Sequence, residues 1–390
     1  PIQLARGDKF TITTDDILGN QEICGTTYKG LPGDCKVGDL LHLNDGRVTI
    51  EVTAVTATSV ETKCINAGEL SDSKGINIPD AFVNVPALSD KDSEDLRWAL
   101  RQGVDLVALS FVRNAADYDD VQRIMDEEQI HVPVIAKIEK PQAVTHLEEI
   151  IAKFEGIMVA RGDLAIEVGN AAVPALQKRM IAWAREADKF TITATQMMES
   201  MINAPVPTRA EVSDVANAVL DGTDAVMLSA ESAAGMYPVQ TIKAMAEICV
   251  EAEKSDRVKL DTDFLDQTFT RIDQTIALGA LFTAHHLNAD AIAALTDSGS
   301  TAIWMSRHNI HVPIFALTSK IATQRALSTY RNVTPIGLDY TKDRDTALQE
   351  VEACLKKLGA VKKGDTVVLT SGEPMGEPGG TNTLKIIHVK

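Results

Sequence analysis

The chain is short of positive charge. Lys and Arg total 38 against 55 Asp and Glu, a formal balance of −17 over 390 residues, which excludes a general affinity for nucleic acid or anionic membrane. A phosphorylated substrate would need a locally positive pocket within an acidic surface. Cysteines are few, scattered and odd in number: Cys24, Cys35, Cys64, Cys249 and Cys354. With no CxxC pair they suggest neither a disulfide framework nor a zinc knuckle, and a reduced cytoplasm is the expected setting. No apolar run approaches the roughly 20 residues of a membrane span, and Pro1-Ile2-Gln3-Leu4 does not read as a signal peptide. The chain also starts without an initiator Met, so a preceding segment is expected. Neither GxxxxGKS/T nor GxGxxG occurs, which leaves P-loop and Rossmann readings without support.

What remains has the length of two or three domains, since one core rarely serves so long a chain. Three textures follow one another. Residues 1–84 hold short Thr/Val/Ile-rich runs, at Lys9–Thr13, Arg47–Val52 and Ser59–Ile65, with turn signals at Gly30-Leu31-Pro32-Gly33 and Asp45-Gly46. That spacing predicts a small antiparallel barrel or sandwich. Residues 85–254 alternate apolar β runs, near 104–111, 133–138, 156–160, 190–195 and 224–229, with helical stretches such as Ala115–Glu128 and Pro174–Ala187. Near-continuous apolar strands separated by helices predict a parallel sheet covered on both faces. Residues 255–390 alternate again, with strands expected at Ala291–Leu295, Ile314–Leu317 and Thr366–Leu369 and a Gly-rich stretch from Ser371 to Gly380.

Polar residues of the middle region gather at the C-terminal ends of its expected strands: Ser110-Phe111, Lys137-Ile138-Glu139, Arg161-Gly162-Asp163, Thr195-Gln196 and Ser229-Ala230-Glu231. In parallel βα architectures that edge carries the active site. Lys137 and Glu139 lie two apart, so their side chains share one face of the strand. Alone they read equally as an interior ion pair. Asp163 at the next strand end adds a second hard oxygen ligand, and two carboxylates with open positions suit Mg²⁺ or Mn²⁺. A neighbouring Lys would stabilise a transferring phosphoryl group or an enolate. Thr195 alone reads as a buried hydroxyl bonded to its own backbone, Ser229 and Glu231 as structural, and His285-His286 as a helix surface. Thr296-Asp297-Ser298-Gly299-Ser300-Thr301 follows an expected strand and opens a helix, which reads as a phosphate site or as plain N-capping.

These same residues carry a resemblance. Val134-Ile135-Ala136-Lys137-Ile138-Glu139 resembles the signature segment of the pyruvate kinases, together with SKGINIP (73–79), MVARGDLAIEVG (158–169), TATQMMESM (193–201) and PTRAEVSDVANAVLDGTDAVMLSAESA (207–233). It runs from about residue 20 to the C-terminus. It implies a (β/α)8 TIM barrel with an inserted small β-barrel lid and a C-terminal α/β regulatory domain. The reaction it implies is phosphate transfer from phosphoenolpyruvate to ADP. Residue by residue, Lys137 stabilises the transferring phosphoryl group and the enolate, Glu139 and Asp163 ligate Mg²⁺ or Mn²⁺, and Gly162, Asp163 and Thr195 receive the substrate's carboxylate end. Asp45 and Lys74 face the nucleotide, and Thr296, Ser298, Gly299, Ser300 and Thr301 hold an effector's phosphate.

The tail Gly379-Gly380-Thr381-Asn382-Thr383 is similar to a bacterial branch that responds to AMP or sugar monophosphates, and Ala165 and Ala230, where the family often has Gly, fit that branch. A cytoplasmic homotetramer is implied. The family's first three barrel strands, its phosphate-binding Arg and the ligands of its K⁺ are not in this sequence, so five visible strands plus those three would make the eight of a closed barrel. Two other readings share part of these residues: a metal-dependent lyase acting through an enolate, which leaves the β region and the Thr296–Thr301 loop unexplained, and a sugar-phosphate-binding scaffold without catalysis.

Overall fold

A computed structural model describes residues 1–390 apart from 45, 79–87, 256–259, 261–267, 341–342 and 375–379. Eight strands occupy the first part: β1 (Ile2–Leu4), β2 (Lys9–Thr13), β3 (Ile23–Gly25), β4 (Leu40–Leu43), β5 (Val48–Val55), β6 (Ser59–Asn66), β7 (Gly68–Leu70) and β8 (Ile76–Asn77). Six of them curl into one sheet in the order β3-β2-β6-β5-β4-β8, while β1 and β7 pair separately. In β6 the residues Val60, Thr62 and Cys64 point inward and their neighbours outward, the two-residue period of a half-buried strand. They meet Phe10, Ile12, Leu41, Ile50 and Val52 in a compact core. The expectation of antiparallel pairing holds for four of this sheet's five neighbouring pairs; β2 and β3 run parallel.

The middle of the chain forms a parallel sheet from β9 (Val107–Leu109), β10 (Val134–Ile138), β11 (Gly156–Ala160), β12 (Phe190–Ala194) and β13 (Ala225–Val226), in chain order. These are five adjacent βα units of a (β/α) barrel. The pleat of β10 divides its residues. Val134, Ala136 and Ile138 turn outward to helix residues Val121, Ile124, Met180 and Ile181. Ile135 turns to the other face with Met158, Phe190 and Ala194, and Lys137 shares that face by alternation. Gly156 admits no side chain, because a Cβ there would lie 2.7 Å from the Phe190 carbonyl oxygen.

The last five strands, β14 (Ala291–Leu295), β15 (Ile314–Thr318), β16 (Val333–Gly337), β17 (Thr366–Gly372) and β18 (Thr381–His388), form a sheet ordered β16-β15-β14-β17-β18. It is parallel except for the β17–β18 pair. Ile292 and Ala294 pack on one face, and Ala291, Ala293 and Leu295 on the other, so helices cover both sides. Strands β16 and β18 were not expected from the sequence. Among the described residues no helix is long and apolar enough to cross a membrane.

Candidate active site

The site starts at the turn after β9. Phe111 adopts φ 55°, in the left-handed region, and its N–H donates to Glu139 Oε2, 2.6 Å away. Beside it the Ser110 hydroxyl accepts a 2.9 Å hydrogen bond from Lys137 Nζ. The ammonium also lies 2.7 Å from Glu139 Oε1. Glu139 is 1% exposed, and its Oε1 receives no hydrogen bond of adequate angle despite the nearby ammonium. A buried carboxylate oxygen left in that condition is costly unless something else binds it.

The next two strand ends are tied together. After β11 the chain turns directly into a helix, Arg161–Val168, so the Arg-Gly-Asp triplet opens a helix rather than ending a strand. Asp163 sits half-buried in its first turn, where the helix dipole favours a carboxylate. Gly162 N–H donates to Thr195 Oγ1 at 3.2 Å. The approach is close: a Cβ at 162 would stand 2.8 Å from that hydroxyl, so a larger residue would displace Thr195. Thr195, one residue beyond β12, therefore bonds across to the neighbouring strand end and not to its own strand. Arg161 reinforces the link: its guanidinium grips Asp214 through both oxygens at 2.6 and 2.8 Å and donates to the Thr195 carbonyl at 2.8 Å.

The β sheet of the first region reaches this edge. Gly46 lies against Ile166 of the Asp163 helix, and Arg47 Nη2 is 3.6 Å from Glu199 Oε1. Asp45 lies outside the described residues, and Lys74 is exposed in the segment between β7 and β8. Glu231 is fully buried and accepts from the N–H groups of Ser229 (2.7 Å) and Met198 (3.2 Å), the structural role expected of it. Of the paired histidines, His286 is exposed and His285 half-buried near His311.

Three contributors carried no role in the sequence: the Ser110 hydroxyl, the Phe111 N–H and the Arg161 clamp. Their residues stood at the expected strand ends, but their partners lie 27 to 53 positions away. The residues present fit a divalent metal, because Glu139 Oε1 is a hard oxygen lacking a hydrogen bond and Asp163 offers a second carboxylate from the adjacent unit. No group of three or more His, Cys, Asp or Glu among the described residues could hold an ion, so substrate and water oxygens would complete the coordination.

In the loop after β14, read from the sequence as a phosphate site or a helix cap, two of the four hydroxyls are engaged within the protein. Thr296 Oγ1 accepts from the Gly299 N–H at 2.9 Å, and Thr301 Oγ1 is buried against Thr381 Oγ1 at 2.8 Å. Ser298 is exposed and Ser300 half-buried, 3.2 Å apart through their hydroxyls. Gly299 takes φ 87° at the entry to the helix Ser300–Ser306.

Polar side chains assembled on the C-terminal strand ends of a parallel sheet, beneath a β lid, define an enzyme of the (β/α) barrel class. The sequence comparisons narrow the class. The family model for the pyruvate kinase barrel domain matches residues 1–242, and that for the pyruvate kinase alpha/beta domain matches 274–387. A pyruvate kinase of Buchnera aphidicola is 43% identical over 98% of this chain and 81% of its own length. Pyruvate kinase II of Salmonella typhimurium is 42% identical over the same shares, and a pyruvate kinase of Corynebacterium glutamicum is 44% identical over 98% and 79%. The chain belongs to the pyruvate kinase family. Members of that family generally use Mg²⁺ or Mn²⁺ together with K⁺.

Proposed function

We propose that the chain transfers the phosphoryl group of phosphoenolpyruvate to ADP, giving pyruvate and ATP in glycolysis, with Lys137 as its principal catalytic residue. The observation that carries this reading is the Lys137 ammonium held between Ser110 and Glu139 at the active edge of the sheet. Its fixed charge would stabilise the phosphoryl group in transit and the enolate left behind. Glu139 and Asp163 would hold Mg²⁺ or Mn²⁺, which when bound offsets negative charge on the reacting oxygens. Gly162, Asp163 and Thr195 would receive the substrate's carboxylate. Full-length enzyme carrying Lys137→Met should lose on the order of 10² to 10³ in kcat with KM little changed. Wild-type kcat with only a higher KM would reduce Lys137 to a binding residue.

The roles of Asp45 and Lys74 toward the nucleotide, the division into a lid (1–84), a barrel (85–254) and a regulatory region (255–390), K⁺ dependence, the homotetramer and the cytoplasmic setting belong to the same proposal. The Thr296–Thr301 loop would bind the phosphate of an effector, a sugar monophosphate or AMP. Ser298, Ser300 and the Gly299 segment would face it, with Thr296 and Thr301 fixing the loop. Titration at subsaturating phosphoenolpyruvate with ribose 5-phosphate, glucose 6-phosphate, AMP and fructose 1,6-bisphosphate tests this. Ser298→Glu should silence the response at unchanged basal activity, and a normal response in the variant leaves the loop as a helix cap.

A further inference from the structure

We infer that Ser110 is a positioning residue for the reaction, acting by fixing the direction of the Lys137 ammonium; the inference rests on the catalytic reading of Lys137. A lysine ends in a compact charge on a flexible four-carbon stem, so its location is set by whatever accepts its three N–H groups. Here Glu139 Oε1 lies 2.7 Å away and Ser110 Oγ accepts at 2.9 Å. The serine fixes one N–H direction, which leaves the others to face the carboxylate and a phosphoryl oxygen. The Lys137 side chain is 25% exposed while that of Glu139 is 1% exposed, so the open direction of the pair lies on the lysine's side.

Glu139 alone could not perform this task. Its Oε1 meets the ammonium without a well-formed hydrogen bond, so charge attraction holds the lysine near but leaves its N–H directions undefined. Ser110 supplies the missing direction. The serine itself is well anchored. Phe111, the next residue, donates its N–H to Glu139 Oε2 at 2.6 Å, so the same turn grips both members of the pair. Two residues further on, at Arg113, Asp117 pins the turn from behind, accepting from the Arg113 N–H at 2.7 Å, the Asn114 N–H at 3.3 Å and the Arg113 guanidinium at 3.0 Å. Val112 between them is fully buried. A hydroxyl on so constrained a turn can hold an ammonium to the tolerance that transition-state stabilisation requires.

The test uses Ser110→Ala in the full-length enzyme, with Ser110→Cys as a near-isosteric companion that offers only a weak acceptor. Each should lower kcat at least about tenfold, the order expected for a lost hydrogen bond to a charged group. KM for phosphoenolpyruvate and for ADP should stay within about twofold, and Mn²⁺ affinity should be unchanged because the Phe111 N–H still holds Glu139. Ser110→Thr keeps the hydroxyl and should restore most of kcat. Because Ser110 acts through Lys137, adding Ser110→Ala to Lys137→Met should cost nothing further. A kcat within twofold of wild type in both Ala and Cys variants overturns the inference, as does a loss additive to that of Lys137→Met. If Lys137→Met itself keeps full kcat, the catalytic reading of the lysine falls instead, and this inference with it.

Discussion

Two carboxylates are buried at opposite ends of the same parallel sheet, and their surroundings differ in kind. Asp224 precedes β13 at the N-terminal end, where Arg307 reaches it from the C-terminal region. Both of its oxygens are saturated: Oδ1 accepts from Arg307 Nη2 and the Arg331 N–H, and Oδ2 from Arg307 Nη1 and from the N–H and hydroxyl of Thr191. Arg307 is equally occupied, by the Lys189 carbonyl, the Ser306 hydroxyl and the face of Tyr330. Glu139 at the C-terminal end is as deeply buried but has one well-formed hydrogen bond and one oxygen without any. A saturated pair has no capacity for a ligand and serves to join two parts of the molecule. An undersaturated one is held ready for something that arrives. Burial alone therefore does not separate structural ion pairs from functional ones; the count of unmet hydrogen bonds does.

The contrast breaks most visibly at Arg307. Arg307→Met strands the Asp224 charge in a site that is 0% exposed at the carboxylate, and loss of one partner of such a pair costs about 3–5 kcal/mol. Chemical or thermal unfolding should show that loss, while kcat of the folded fraction at saturating substrates stays near wild type. A destabilisation below about 1 kcal/mol would place this pair with the surface salt bridges and remove the comparison's structural half.

At Glu139 the expectation reverses. Glu139→Gln keeps shape and the acceptor for the Phe111 N–H, so the thermal midpoint should move by only a few degrees. Mn²⁺ binding should weaken at least about tenfold, as changes among metal-binding groups generally do. Calorimetric or paramagnetic titration measures this without turnover. Unchanged affinity, or unfolding on the scale of Arg307→Met, would make Glu139 a second structural carboxylate.

How much of this contrast could be read in the sequence depended on distance along the chain. Lys137 and Glu139 were legible because a two-residue strand period puts them on one face, and because charged residues at successive strand ends have no packing explanation. Arg307 and Asp224 stand 83 positions apart, and no local pattern joins them. The Thr301–Thr381 contact, spanning 80 positions, was hidden in the same way, so the loop after β14 looked freer than it is. Strand β16 escaped notice because Pro335 interrupts it; the strand lies at the sheet edge, where a missing N–H is tolerated. Strand β18 follows a Gly-rich stretch that masked its start. The strands read correctly are those with a local signal: β2 alternates Phe10 and Ile12 with polar neighbours, and β14 is an unbroken apolar run.

The finest test of the comparison lies within the Arg307 cluster, at Arg331. Its guanidinium donates to a neutral amide, Asn309 Oδ1, at 3.0 Å, and the Asp224 carboxylate is reached by its backbone N–H instead. Burial pushes its pKa down to about 10, and Arg185 and Arg307 nearby push the same way, against Asp224 and Glu253. The group thus stays charged at neutral pH at some cost to the folded state. Arg331→Met keeps an apolar stem, removes a desolvated charge and leaves the N–H to Asp224 intact. Its stability should fall within about 1 kcal/mol of wild type, on either side, since replacing a buried charge by a well-packed apolar side chain is often neutral or favourable. The sign with pH follows from the lowered pKa. Between the folded and unfolded values the unfolded chain binds more protons, so wild type gains on the variant only as pH rises through about 10. Below about pH 9 their difference should be constant. A loss in Arg331→Met comparable to that in Arg307→Met would mean that the cluster depends on total positive charge, and that saturation of Asp224 is not what separates the two ends of the sheet.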